Sequence, residues 1–197
     1  MNKQITLPDG KRLQAKFLGA GSFARCYLAE DGFVYSFLKM DTQEFDYSKE
    51  GIAEWANCEN SHMPEFWNLG EDDKNNRVYK SVYYGNKLTA QNKTAWKQYK
   101  ELKIIWMEEV RKSNGLGSPD SVNRAIIDRA KESDIIPESL IESLTSICDA
   151  LANYGDDYSL EFRPCNLKVN DAGELILLDV IFNKRALTQK INKKLYK

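Results

Sequence analysis

Apolar and polar positions alternate loosely through KRLQAKFLGA, residues 11–20, the two-residue period of a strand with one covered face. ARCYLAE (24–30) and FVYSFLKM (33–40) continue the pattern, and the Asp31-Gly32 pair between them predicts a hairpin. Residues 46–57 read as a helix with Glu50 and Glu54 one turn apart. MPEFWNLG (63–70) and RVYKSVYYG (77–85) read as strands around the polar loop EDDKNN. From about Thr89 the period lengthens. Trp96, Tyr99, Leu102, Ile105 and Trp106 fall at helical spacing, SNGLGSP is a loop, and a second helix begins at Ser121. Pro137 suits the first turn of a third helix, whose apolar face is Leu140, Leu144, Ile147, Cys148 and Leu151, and Gly155 suits its end. Two short strands then flank the turn at 170–173, and a tail helix follows. The pattern predicts an α+β chain, with a β-rich lobe over 1–86, a helical lobe over 87–197 and a seam near 84–88.

Composition narrows the class. In 197 residues, 42% hydrophobic side chains are enough for a core, which excludes wholesale disorder. A formal charge of −1 argues against a general nucleic-acid binder, which carries a clear basic excess. The basic tail from Lys184 to Lys197 reads as a solvated face. Cys26, Cys58, Cys148 and Cys165 lie far apart and form no metal-binding pair. The polar start MNKQITLPDGK does not read as a signal, and no apolar run is long enough for a bilayer, so the expected setting is cytoplasmic with no membrane contact.

Four elements with chemical potential follow one another. GAGSFARCY (19–27) lies between two strands, where glycines let backbone approach a ligand and exposed amides can cradle phosphate. By itself, Gly-x-Gly between strands is more often just a hairpin turn. Lys39 ends an apolar strand, where a lysine can simply snorkel. Glu50 and Glu54 share a helix face. Finally, EFRPCNLKVNDAGELILLDV (161–180) carries Glu161, Asn166 and Asp179, the last inside the apolar run 175–182. A carboxylate there is costly without a partner.

This order, across residues 13–182, resembles the protein-kinase-like fold, a two-lobed architecture with an antiparallel N-lobe sheet and here a minimal helical C-lobe. The resemblance implies a glycine loop (Gly19, Ala20, Gly21, Ser22, Phe23) over the phosphates of ATP, with Ala24 where the usual third glycine stands. It implies a third-strand lysine, Lys39, oriented by a helix glutamate. HMPEF (62–66) sits where kinases often show His-Pro, a register that favours Glu54 over Glu50. Tyr84, at the seam, joins the implied cofactor site. LEFRPCNLKV resembles the catalytic loop, making Glu161 the base beside Arg163, and Asn166 with Asp179 the magnesium ligands. The compact form and the RPCN loop look most like the serine/threonine kinases of lytic bacteriophages, which modify host proteins. The implied partner is then a protein substrate in the host cytoplasm, with oligomeric state open.

Departures from the pattern leave three functions in play. Glu161 stands where active kinases carry aspartate, and Ser159 and Leu160 replace the histidine and arginine before it. DVIF lacks the usual glycine, and only fifteen residues follow Phe182, too few for the usual peptide-docking helices. A minimal ATP- and magnesium-dependent protein kinase, a catalytically dead pseudokinase that binds a partner, and a small-molecule phosphotransferase all fit. His62 reads as a turn residue, Trp96 and Trp106 as core, and Cys165 as packing.

Overall fold

A computed structural model describes residues 2–21, 24–39, 62–114, 116–152, 157–183 and 188. These fall into two compact units, one holding 2–39, 65–83 and 188, the other 62–64 and 84–183. The fold is mixed α+β, with a large antiparallel sheet toward the N-terminus and helices beyond it.

The first unit is a six-stranded sheet of β1 (Asn2–Thr6), β2 (Arg12–Ala20), β3 (Ala24–Ala29), β4 (Phe33–Lys39), β5 (Phe66–Glu71) and β6 (Asn76–Val82). Its order is β1-β2-β3-β4-β6-β5. The predicted strands form, joined at Asp31-Gly32 by a turn in which Gly32 adopts φ 84°. Asp31 Oδ2 accepts the Tyr35 hydroxyl at 2.7 Å, tying the turn to β4. One correction concerns β1, which the sequence leaves unmarked. Its segment NKQIT holds a single apolar residue, Ile5, and backbone pairing to β2 makes the strand. Ile5 and Leu7 join Leu13, Ala15, Tyr27, Ala29, Tyr35 and Val78 in one cluster. Lys39 therefore ends the fourth strand, not the third.

Asp72 closes the β5–β6 turn. Its Oδ1 accepts the amides of Lys74 (2.9 Å) and Asn76 (2.8 Å), and Asn76 Nδ2 donates to both carboxylate oxygens. Burial pushes this carboxyl up, but the hydrogen bonds from Asn76 and Lys74 outweigh it and hold the group below its ordinary value. Its contribution is thus present above the unfolded value of about 3.9 and lost as pH falls through the lower folded value. Asp72→Asn is expected to cost about 1 kcal/mol at pH 7. The deficit should shrink in acid, as read from urea unfolding at neutral and acid pH.

The second unit packs α1 (Lys93–Ser113), α2 (Pro119–Lys131) and α3 (Glu138–Ala152) with five short strands. These are β7 (Asn86–Lys87), β8 (Tyr158–Leu160), β9 (Leu167–Val169), β10 (Leu175–Leu177) and β11 (Ile181–Asn183). They form two small sheets, β10-β9-β7 and β11-β8. The predicted helical faces are the buried ones: Tyr99, Leu102 and Ile105 on α1, and Leu140, Leu144, Ile147 and Cys148 on α3. Trp96 and Trp106 pack half-buried against this core. Helix α2 starts earlier than Ser121, because Ser118 caps the Ser121 amide and Pro119 takes the first turn. The Leu151 side chain and Gly155 lie outside the described residues. So does all but Thr188 of the expected tail helix.

His62 is buried as the resident of a turn. Its Nδ1 lies 2.7 Å from Leu175 O, and its carbonyl accepts the Leu177 amide at 2.9 Å. It thereby acts as a strand neighbour on the edge of β10. No helix among the described residues is long and apolar enough to cross a membrane.

Candidate active site

The apolar run 175–182 is not one strand. It breaks into β10 and β11, which belong to different sheets, with Leu178 and Asp179 forming the bend between them. This corrects the expectation of a single strand carrying the aspartate. Asp179 therefore sits in a half-buried bend, between two apolar strands and inside neither.

Backbone bonds then clasp this bend to the 161–166 loop. The Asp179 amide donates to Asn166 O at 3.0 Å, and the Glu161 amide donates to Val180 O at 2.7 Å. Pro164–Asn166 forms one 3-10 turn, with Asn166 as its last residue. The structure therefore brings together Glu161, Asn166 and Asp179, which lie up to eighteen positions apart in sequence. Arg163 belongs to the same cluster, its Nη2 2.7 Å from Glu161 Oε1. Asn166 Nδ2 donates to Glu161 Oε2 at 3.3 Å, so each oxygen of this carboxylate has a partner.

Cys165 is exposed, not packed, and its thiol lies 3.3 Å from Asn166 Oδ1. Cys148 is the packed thiol. Burial, with Asp149 nearby, pushes it up to about 12, so it stays protonated and unreactive.

Two residues that the sequence reading passed over hold the loop in place. Phe162 is fully buried and meets Trp106 edge-on at 6.4 Å, anchoring the loop between Glu161 and Arg163. Asn123, buried on α2, donates to Tyr158 O at 2.8 Å and accepts the Leu160 amide at 2.9 Å. Its amide thus completes the open edge of β8, the strand leading into Glu161. An asparagine amid the alternation of α2 (VNRAII) is the one trace of this in sequence.

In the first unit, Gly19 and Ala20 end β2, and the amide of Gly21 just beyond it donates to Ala24 O at 2.9 Å. A cleft of about 500 Å³ opens there, with Tyr27 and Phe37 in its lining, Lys3, Arg25 and Lys74 as its cations, and Asp72 and Asp73 as its carboxylates. Ala20 and Gly21 form part of its wall. A Cβ at Gly19 or Gly21 would meet nothing within 4 Å, so local packing does not demand either glycine. Lys39 pairs in backbone register with Asn76, which also lines the cleft. The Lys39 side chain, Ser22, Phe23, Glu50 and Glu54 lie outside the described residues. Tyr84 belongs to the second unit, half-buried just beyond β6.

No family model matches the sequence, and no curated protein matches it. Among solved structures, vaccinia related kinase 3 is similar at 13% identity and a TM-score of 0.40, over 92% of this chain. The ternary complex of APH(2")-IIa with streptomycin and ATP is similar at 14% identity and 0.37, over 85% of this chain. The chain spans 52% of the first and 66% of the second. The functional reading therefore rests on the chain's own residues.

Proposed function

We propose that the chain is an ATP- and magnesium-dependent phosphotransferase acting on serine or threonine hydroxyls of a host protein. The observation that carries this reading is the clasp, in which backbone bonds converge Glu161, Asn166 and Asp179. The donor set suits a hard divalent cation, which takes oxygen ligands: the Asp179 carboxylate and the Asn166 Oδ1. Only a thiol, a weak donor, occupies Oδ1, and it is readily displaced. Magnesium, when bound, neutralises charge on the transferring phosphoryl group. Asn166 orients its own oxygen, because its Nδ2 is committed to Glu161.

Glu161 is the proton acceptor in this reading. A carboxylate offers about four lone-pair sites, and Arg163 and Asn166 use two. A substrate hydroxyl within hydrogen-bond reach of Oε2 transfers its proton there. In the first unit, Tyr27 and Phe37 with Lys3, Arg25 and Lys74 suit a planar base bearing phosphates, with Asp72 and Asp73 on the same lining. Gly21→Ala is expected to leave stability unchanged or up to about 1 kcal/mol higher, since the site has room. ATP affinity should fall about tenfold, 1.4 kcal/mol, on calorimetric titration.

The test is magnesium-dependent ATP binding by calorimetry. Binding that disappears with EDTA supports the reading, and no binding at millimolar ATP ends it. A second reading, a pseudokinase that modulates a partner, is favoured by the engagement of both Glu161 oxygens and the low exposure of that side chain, 14%. Radiolabel transfer to protein separates the two. Loss of transfer in Glu161→Gln with ATP binding intact supports the enzyme, whereas ATP binding without transfer in the wild type supports the pseudokinase.

A further inference from the structure

Helix α1 buries one side and leaves an unusual face open. Ile104 (52% exposed), Met107 (56%) and Val110 (45%) follow at three-residue steps, so they form one apolar stripe. Leu116, 91% exposed, continues beyond the helix end. Toward the N-terminus the same face carries Lys97, Lys100 and Lys103, all exposed. Among the described residues, none of these lysines forms an ion pair. Of the helix's acidic residues, Glu109 is buried and paired with Lys112 and Arg129, Glu108 also meets Arg129, and the half-buried Glu101 accepts the Ser133 hydroxyl at 3.4 Å. Lys103 Nζ lies 5.9 Å from the centre of the Tyr99 ring. Exposed apolar area of this kind, flanked by charge of one sign, marks an interaction surface.

The complementary surface is on the same chain. A groove of about 600 Å³ runs along α3, lined by Ile136, Glu138, Ile141, Glu142 and Thr145 with Lys131. Glu138 and Glu142 are one turn apart and exposed, and Ile135 beside them is 45% exposed. The ammonium of Lys131 is held by Asp128 at 2.9 Å, leaving the groove's two glutamates dominant. A net charge of −1 provides little overall repulsion between copies.

We infer that copies of this chain associate by seating the α1 stripe of one in the acidic α3 groove of another. Ile104 and Met107 supply the apolar contact, and Lys97, Lys100 and Lys103 face Glu138 and Glu142. From Ile104 to Val110 the stripe runs only about 9 Å along the helix axis, so the contact covers less than the roughly 800 Å² per partner typical of tight complexes. Association is therefore concentration-dependent, and screening weakens it.

Sedimentation velocity on the full chain tests this, at about 0.02 M and about 0.5 M salt, where the Debye length falls from roughly 20 Å to roughly 4 Å. The wild type should gain mass with concentration at low salt and lose that gain at high salt. The triple change K97E/K100E/K103E and the double change E138K/E142K should each be monomeric, with circular dichroism unchanged. Mixed together, they should associate again, because both contacts regain opposite charges. A wild type that stays monomeric at about 200 μM and low salt overturns the inference, as does association that either set of changes leaves intact. Binding to phosphatidylserine vesicles without self-association also overturns it, assigning the stripe to a lipid surface.

Discussion

Asp179→Ala is expected to slow magnesium-dependent phosphoryl transfer about a thousandfold, while thermal unfolding stays within about 4 °C of wild type. A bound divalent cation contributes several kcal/mol to stabilising transition-state charge, and about 4 kcal/mol corresponds to that factor. The backbone bonds of the clasp, Asp179 N to Asn166 O and Glu161 N to Val180 O, need no side chain and persist in the variant. A loss of about 1 kcal/mol moves the midpoint of a chain this size by only a few degrees. Asp179→Asn keeps the shape and removes the charge, so it controls for local collapse. If both variants transfer phosphate at the wild-type rate, Asp179 holds no catalytic metal and the proposed site is wrong. If both bind ATP normally yet transfer nothing, binding and chemistry are carried by different residues.

Asn123→Ala should cost about 2–4 kcal/mol of stability, an unusually large loss for a polar residue on a helix. The amide bridges Tyr158 O and Leu160 N, and both bonds are buried. Removing it strands a buried donor and a buried acceptor, at about 1–3 kcal/mol each. Urea unfolding monitored by tryptophan fluorescence measures the loss, with unchanged slope marking a change in stability alone. Asn123→Asp should recover part of it, since a carboxylate accepts the Leu160 amide but cannot donate to Tyr158 O. A loss below about 0.5 kcal/mol in Asn123→Ala would show that β8 does not depend on this bridge. Because β8 leads directly into Glu161, the same variant is expected to lose activity at temperatures where it remains folded.

Much of the element order was legible along the chain, for identifiable reasons. The two-residue alternation in β2 to β4, the Asp31-Gly32 turn and the helical spacing of Tyr99, Leu102 and Ile105 are local signals, because side-chain burial within one element follows its own period. β1 was not legible: an edge strand with one apolar residue owes its form to its partner. The same holds for β8 and β11, three residues each, which exist only as a pair.

The candidate residues themselves were also legible, as oxygen-bearing side chains in a run where charge is costly. Phosphoryl transfer is what their resemblance to the protein-kinase catalytic loop implies. What they touch was a different matter. That Asp179 occupies a bend between two sheets, that Arg163 and Asn166 cap Glu161, and that Cys165 faces out all depend on backbone bonds between 161–166 and 179–180. The bracing by Asn123, nearly forty positions upstream, depends on helix α2 packing against β8. Sequence by itself determined the elements and the chemistry available, because both are written in neighbouring residues. Tertiary structure alone decided which groups meet, because those hydrogen bonds join residues that are brought close only when the core closes.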